Sequence, residues 1–206
     1  AVKLHVRNIM KILKIFSAYA EGDFSKTLEK LPGKQASTNE IMDSIRNNLM
    51  SIINEVNKMV QAVRDGRLDV RGNDEAFAGD WGKLMNNMNA LMEAVSEPIS
   101  EMSTILGRLA VNDLTQKVEK EYNGIWNELK DYINRAIDQV SNVEKVLVNI
   151  GSGNLGDLER LQKIGRRSEN DKLVPASIRM IKAIQQLIDD AYALAQAAVE
   201  GKLSTR

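Results

Sequence analysis

Apolar residues recur along this chain in alternating steps of three and four positions. The first segment contains the series Val2, Val6, Ile9, Leu13 and Phe16, and four later segments repeat the same alternation. The five segments cover residues 2–20, 42–63, 84–109, 126–150 and 174–198. Because this spacing collects the apolar side chains on one stripe of an α-helix, it predicts five long helices of the coiled-coil or bundle type. Each stripe must be buried against a partner helix.

A three-residue motif closes each predicted helix. It consists of Gly or Asn, one variable residue and a large apolar residue, and its five copies are separated by 44, 46, 41 and 48 positions. The copies begin at Gly22, Gly66, Asn112, Gly153 and Gly201. Gly and Asn tolerate the left-handed backbone that commonly follows a helix, so each copy predicts a helix end. The chain is therefore built from a repeat of about forty-five residues.

Connectors join the predicted helices over residues 22–39, 66–80, 112–124 and 153–171. Tight antiparallel helix pairs use loops of about 2 to 8 residues, so we expect these longer connectors to run back along one helix. The next helix then starts parallel to the previous one, and apolar connector residues pack onto the bundle. Two stripes per repeat leave a four-helix core half built, and we expect a homodimer to complete it. The predicted fold is all-α, with tandem parallel four-helix bundles linked by continuous helices.

Composition and charge narrow the range of functions. The 206 residues include 28 Lys and Arg, 28 Asp and Glu, no Cys and one His. The balanced charge argues against a nucleic-acid binder, which would show a basic excess. The lack of Cys and the single His exclude thiolate metal sites, cysteine nucleophiles and sites with two imidazoles. No apolar run approaches the roughly 18 to 20 residues of a membrane span. We expect a cytoplasmic, non-enzymatic chain with no cofactor, no metal ion and no small-molecule substrate.

The repeat resembles the HAMP domain, a two-helix signalling module whose connector reads Gly-x-apolar-x-x-x-apolar. The first and third connectors fit this pattern throughout, with Asn112 in place of Gly in the third. In the second and fourth connectors, Gly72 and Glu159 stand at the second apolar position, for which Val70 and Leu158 are candidate substitutes. The expected connector anchors are Gly22, Phe24, Leu28, Gly66, Leu68, Asn112, Leu114, Val118, Gly153, Leu155, Gly201 and Leu203.

The whole arrangement is similar to the poly-HAMP arrays of bacterial and archaeal methyl-accepting chemotaxis proteins and sensor histidine kinases. The resemblance implies HAMP-like repeats over 1–53, 54–96, 97–140 and 141–188, then the first helix of a truncated fifth repeat over 189–206. In that family the second helix of one repeat continues into the first helix of the next. The expected seam of these junction helices consists of Ile52, Val56, Met59, Val95, Pro98, Met102, Val140, Val143, Leu147, Ile188 and Ala191.

The resemblance also implies a signal-relay function. The chain would transmit conformational change from an input domain to a chemotaxis or kinase output domain of the same chain, through stacked two-state bundles. Its partners would be a second copy of the chain and those flanking domains. The resemblance is also compatible with a full-length protein that is anchored in a membrane. Two alternatives stay open. One is a passive coiled-coil spacer, which uses the heptads without needing the repeated connector, and the other is a ligand-sensing helical bundle.

Overall fold

The computed structural model describes residues 2–202, which form six α-helices and no β-strand. The helices are α1 (Val2–Ala20), α2 (Ala36–Arg64), α3 (Asp80–Ala110), α4 (Ile125–Gly151), α5 (Asp157–Ile164) and α6 (Leu173–Val199). A single 3-10 turn, Gly33–Gln35, precedes α2. The all-α fold and the five long helices predicted from the heptad pattern are confirmed. The short helix α5 lies inside the fourth connector, where no helix was predicted.

The chain divides into two compact units between Ser100 and Glu101, within α3. The first unit contains α1, α2 and the beginning of α3. The second contains the end of α3 together with α4, α5 and α6. No helix within residues 2–202 is long and apolar enough to cross a membrane.

The five predicted helix ends have left-handed backbone. The torsion angle φ is 83° at Gly22 and 61° at Asn112, and it is likewise positive at the first residue of the other three motifs. In each motif, the residue directly after the Gly or Asn donates its amide to the carbonyl five positions before it. Asp23 N, for example, donates to Ala18 O at 2.8 Å. This hydrogen bond satisfies a carbonyl that the end of the helix would otherwise leave free.

Within residues 2–202, buried apolar residues form four clusters, one at each connector. The first contains Tyr19, Leu28, Leu31 and Met42; the second Ile52, Met59, Met85 and Met92; the third Met102, Ile105, Val118, Ile133 and Ile137; the fourth Val146, Leu161 and Ile181. Each cluster draws buried residues from the helix before its connector and from the helix after it. The core is therefore divided into four small parts rather than collected in one.

Continuous helices join consecutive clusters. Within the first unit, α2 contributes Met42 to the first cluster and Met59 to the second. Within the second unit, α4 contributes Ile133 to the third cluster and Val146 to the fourth. The residues between Ile137 and Val146 include no buried side chain. A single rigid element therefore links the packing of two neighbouring clusters.

The long helices also carry apolar residues that the single chain leaves at its surface. On α1 the exposed fractions rise from 41% at Ile9 to 77% at Val2, and the exposed stripe follows the heptad steps. The total accessible surface is 14824 Å². Two folded units of half this mass would together expose roughly 11,600 Å². The excess indicates that the single chain leaves surface uncovered that a folded protein of this size buries.

Candidate functional site

The first connector is fixed between α1 and α2 by an aromatic pair and by polar contacts to its backbone. The rings of Tyr19 and Phe24 lie 5.6 Å apart at 51°, and both pack with the buried Leu28. The Tyr19 hydroxyl donates to the carbonyl of Lys26 at 3.0 Å, and Arg46 Nε donates to the carbonyl of Phe24 at 2.7 Å. Burial raises the pKa of Tyr19 above its usual value. The anchors predicted in this connector therefore contact both flanking helices.

The third connector is held at four points. Leu114 and the fully buried Val118 pack into the third cluster. Lys117 forms an ion pair with Asp138 of α4 at 2.6 Å. Near the end of the connector, the Tyr122 hydroxyl donates to Glu101 of α3, and Lys130 of α4 pairs with Glu121 at 2.7 Å. The connector is thus tied to the helix before it and to the helix after it.

In the second connector, Gly72 takes the place of a large apolar anchor because methionines fill the space. It is buried, and a Cβ atom added to it would lie 2.2 Å from Met85 Sδ and 3.2 Å from Met59 Sδ. Leu68 is half-buried, whereas Phe77 packs against the second cluster. The substitute proposed from the sequence, Val70, is only half-buried and is not part of that cluster. This part of the prediction is corrected: the methionines and Phe77 supply the apolar contact.

The fourth connector is anchored by a helix rather than by an extended segment. Leu161 of α5 is buried in the fourth cluster, and Leu155 and Leu158 pack against it. Glu159, at the second apolar position of the pattern, is exposed. The expected substitute Leu158 does contact the core, but Leu161, which is the most buried residue of this connector, was missed. An eight-residue helix is not stable by itself, so its contacts with the core decide its conformation.

An aspartate near the end of the fourth connector accepts hydrogen bonds from the loop and from the next helix. Asp171 accepts the amides of Leu173 at 2.9 Å and Val174 at 3.3 Å, which would otherwise be free in the first turn of α6. The amide of Arg167 donates to its other oxygen at 3.1 Å. These hydrogen bonds, led by the one from Arg167, lower the pKa of Asp171. The carboxylate therefore joins the loop after α5 to the start of α6.

Asparagines in α2, α3 and α4 hold the backbone of the first three connectors. Asn89 accepts the amide of Gly72 at 2.8 Å and donates to its carbonyl at 2.9 Å, and Asn134 makes the same pair of contacts to Val118, both at 2.9 Å. Asn39 accepts the amide of Leu31 and donates to the carbonyl of Leu28. A connector running along a helix needs such partners for its backbone polar groups.

These asparagines were missed by the sequence analysis. The available signal was their residue type, because Asn is a poor helix former in a helix interior and is favoured there only when it has a specific polar role. The segment Leu173–Val199 contains no asparagine. The fourth connector consequently lacks this contact.

Aspartates at the start of two connectors shape the turn that follows the helix. Asp23 accepts the hydroxyl and the amide of Ser25, and Asp113 does the same with Thr115. Hydrogen bonds from Ser25 and Thr115 lower the pKa of both carboxyl groups below the usual value. For Asp113, the guanidinium of Arg108 at 2.9 Å acts in the same direction. The motif after the helix end is therefore a specific turn and not a free loop.

The predicted seam residues divide between the core and the surface of the chain. Ile52, Met59, Pro98 and Met102 are buried, Val56 and Val143 are half-buried, and Val95, Val140, Leu147, Ile188 and Ala191 are exposed. Met85, Met92, Ile137 and Val146 are buried in the clusters but lie off the predicted heptad stripes. One apolar face was predicted for each helix, whereas these helices have two. Gly201 ends α6 with φ of 73°, and Leu203 lies outside the described residues.

Within residues 2–202, no group of three or more His, Cys, Asp or Glu side chains is placed to hold a metal ion. An apolar cleft of about 120 Å³ lies at the fourth connector, beside Val146, Leu161 and Val174. Small-molecule sites usually have about 300 to 1,000 Å³, so this cleft is smaller than such sites. The contacts described above are those of packing interfaces between helices and connector backbone.

Two parts of the chain match HAMP families. Residues 76–142 match the HAMP domain, and residues 9–50 match HAMP N-terminal domain 3. The chain contains HAMP domains. The matched segments include the first and third connectors, where the Gly-x-apolar-x-x-x-apolar pattern is most complete. HAMP domains are signalling linkers, so the chain acts in general terms as a signal-relay linker.

A curated relative points in the same direction. The methyl-accepting chemotaxis protein McpB of Pseudomonas aeruginosa is 32% identical over 87 residues, which are 42% of this chain and 13% of McpB. The matching region thus spans about an eighth of that relative's length. No solved structure is significantly similar to the chain.

Proposed function

We propose that this chain relays conformational change through stacked two-state HAMP bundles of a homodimer. The relay runs between an input domain and a chemotaxis or kinase output domain of a longer protein. The observation that carries the proposal is that α2 and α4 each pack into two consecutive core clusters. A rotation or shift of such a helix in one cluster necessarily moves its residues in the next. Two packings of one set of apolar residues can differ by only a few kcal/mol, which makes each cluster suited to switching.

The second apolar face of each helix supports the homodimer. On α1, Ile12, Ile15 and Tyr19 face the chain's own core, whereas the stripe from Val2 to Phe16 is exposed. A second copy in parallel register would cover that stripe and complete a four-helix core. We assign the repeats to residues 1–53, 54–96, 97–140 and 141–188, with the first helix of a fifth over 189–206. Each of the four complete repeats then contains one connector.

The relative's name favours a chemotaxis output, since McpB is a methyl-accepting chemotaxis protein. In this proposal the anchors Phe24, Leu28, Leu114 and Val118 set the position of each connector, and the seam residues transmit it. A passive spacer would need only the heptad stripes. The repeated contacts between connector backbone and helix asparagines favour a relay over a spacer, because they add polar specificity that a rod does not use.

Two deletions in α4 test the relay against the spacer. The segment 138–145 lies between Ile137 and Val146 and has no buried residue, so shortening it keeps both clusters. Deleting residues 139–142 rotates the downstream helix by about 40°, whereas deleting residues 139–145 rotates it by only ~20°. The expected result is that the four-residue deletion changes or inverts the output of the full-length protein and the seven-residue deletion largely preserves it.

The control for both deletions is that the variants stay highly helical and keep the oligomeric state of the parent chain, as measured by circular dichroism and light scattering. A spacer responds to length, so it would be harmed more by the loss of seven residues. An output that falls in order of deleted length would overturn the proposal.

A further inference from the structure

Helix α1 differs from the other helices in the sign of its charge. Its 19 residues contain Lys3, Arg7, Lys11 and Lys14 and no Asp or Glu. Among the six helices of residues 2–202, it alone lacks acidic residues, while the chain as a whole is neutral. A helix that is both amphipathic and purely basic is typical of segments that bind anionic surfaces.

The cations of α1 lie on a face of their own. At about 100° per residue, Lys3, Arg7 and Lys14 fall within roughly 40° of one another on the helix circumference. The face toward the chain's own core, with Tyr19, and the exposed apolar stripe, with Leu13, each lie some 120° to 130° away. The second copy of the proposed homodimer therefore covers the apolar stripe without covering the cations. A dimer would present this face twice.

Few acidic groups neutralise this face. Lys11 pairs with Glu29 at 2.5 Å, while Lys3, Arg7 and Lys14 form no ion pair within the described part of the chain. A groove of about 370 Å³ between α1 and the first connector brings in a further cation, Lys26. Lys11, Lys14, Lys26 and Glu29 line this groove together with apolar residues that include Ile15 and Leu28. Lys26 lies 3.8 Å from Asp23, and Glu21 follows the last residue of α1.

Exposed apolar side chains border the cations. Met10 is 62% exposed at one edge of the face, and Leu4 is 51% exposed at the other. A nucleic acid would attract the cations but would gain little from these two side chains. The interface of a bilayer accommodates both, because phosphate groups attract the cations and the acyl boundary receives the apolar groups.

We propose that the cationic face of α1, defined by Lys3, Arg7 and Lys14, binds the surface of an anionic phospholipid membrane. The bundle then lies along the membrane, with this face against the lipid phosphates. This contact is separate from the relay function and does not require a membrane-spanning segment.

Vesicle binding tests the proposal. The 206-residue chain is mixed with vesicles of phosphatidylglycerol and phosphatidylcholine, and separately with vesicles of phosphatidylcholine alone, and the bound fraction is measured by co-flotation. Binding is expected only with phosphatidylglycerol, and it should weaken steeply with added salt because the charges are screened. Replacing Lys3, Arg7 and Lys14 by Gln should reduce the partition coefficient about a hundred-fold, since each basic residue near such a surface contributes roughly five-fold.

A matched control changes the same number of charges elsewhere. Lys145→Gln, Arg179→Gln and Lys182→Gln remove three exposed cations from α4 and α6 and should leave the partition coefficient nearly unchanged. Helix content and molecular mass verify that both triple variants fold. Equal losses in the two variants, or binding that persists without the α1 cations, would overturn the proposal. Binding to duplex DNA or to heparin with no binding to the vesicles would also overturn it and would assign the face to another polyanion.

Discussion

In the middle of α3, Asn89 exchanges two hydrogen bonds with the backbone of Gly72, and an alanine there could make neither. We expect Asn89→Ala to lower the free energy of unfolding by about 1 to 3 kcal/mol, because it leaves a buried amide and carbonyl without partners. Asn87 is exposed on the same helix. Asn87→Ala should be neutral or slightly stabilising, since Ala is the better helix former.

Chemical denaturation of both variants measures this difference, and hydrogen exchange at the Gly72 amide locates it. Protection of that amide should fall in Asn89→Ala and stay unchanged in Asn87→Ala. Equal stabilities for the two variants would show that the asparagine contact contributes nothing to the connector.

Substitution by alanine should change the free energy of unfolding in opposite directions at two of the glycines. A Cβ at Gly72 would lie 2.2 Å from Met85 Sδ, so the flexible methionine has to move, whereas a Cβ at Gly107 in α3 would meet nothing within 4 Å. We expect Gly72→Ala to destabilise the chain by about 1 kcal/mol or more, and Gly107→Ala to stabilise it by roughly 0.5 to 1 kcal/mol.

Thermal unfolding of the two glycine variants gives the sign of each change. Adding Met85→Val to Gly72→Ala should return part of the lost stability, because the shorter side chain leaves room for the new methyl group. If Gly72→Ala is as stabilising as Gly107→Ala, the second connector does not pack closely against the methionines.

Helix α5 is the element whose existence depends most on its surroundings. Eight residues are too few for a stable isolated helix, and α5 is held by Leu161 in the fourth cluster and by Asp157, which accepts the side-chain amide of Asn149 at 2.7 Å. The Asn149 and Arg160 side chains lower the pKa of Asp157. Helix α6 has no asparagine to hold the backbone of this connector, so the packing of α5 takes that role.

We expect Leu161→Ala to unfold α5 while the long helices remain, since loss of a buried leucine costs about 2 to 5 kcal/mol. Hydrogen exchange over residues 157–164 measures the effect. The control is Ile164→Ala in the same helix, where the parent side chain is 37% exposed and the loss should be much smaller. Continued protection of the α5 amides in Leu161→Ala would mean that the helix does not depend on the core.

At the level of the assembled protein, the exposed heptad stripes call for a second chain. We expect a mass of twice 23.0 kDa by light scattering, because the stripes would otherwise remain in water. The chain has no Cys, so single cysteines report on register without background. Leu13→Cys on the stripe should form a covalent dimer on oxidation, whereas Lys14→Cys on the cationic face should not.

Parallel register makes a further prediction for mixed samples. Leu13→Cys should link to its own copy and not to Ile188→Cys near the other end of the chain. A folded monomer would contradict the homodimer, and linkage between the two different positions would contradict the parallel arrangement.

The positions of the long helices and of their ends follow from local chemistry. Heptad spacing determines where a helix has an apolar stripe, and Gly22 or Asn112 determines where the left-handed residue stops it. The left-handed residue acts within one helical turn and the heptad spacing over a few turns, so both can be identified without knowing which distant residues pack nearby. The same is true of the all-basic character of α1, which is a property of composition.

Tertiary packing alone decided which apolar face each helix buries within its own chain. In α3 the core contains Met85 and Met92, whereas Leu84 and Leu91 of the predicted stripe are exposed. Both sets fit a helical period, and the choice depends on the connector that lies against the helix. The roles of Asn89 and of α5 have the same origin, because a hydrogen bond or a buried leucine is specified by its partner as much as by its own residue type.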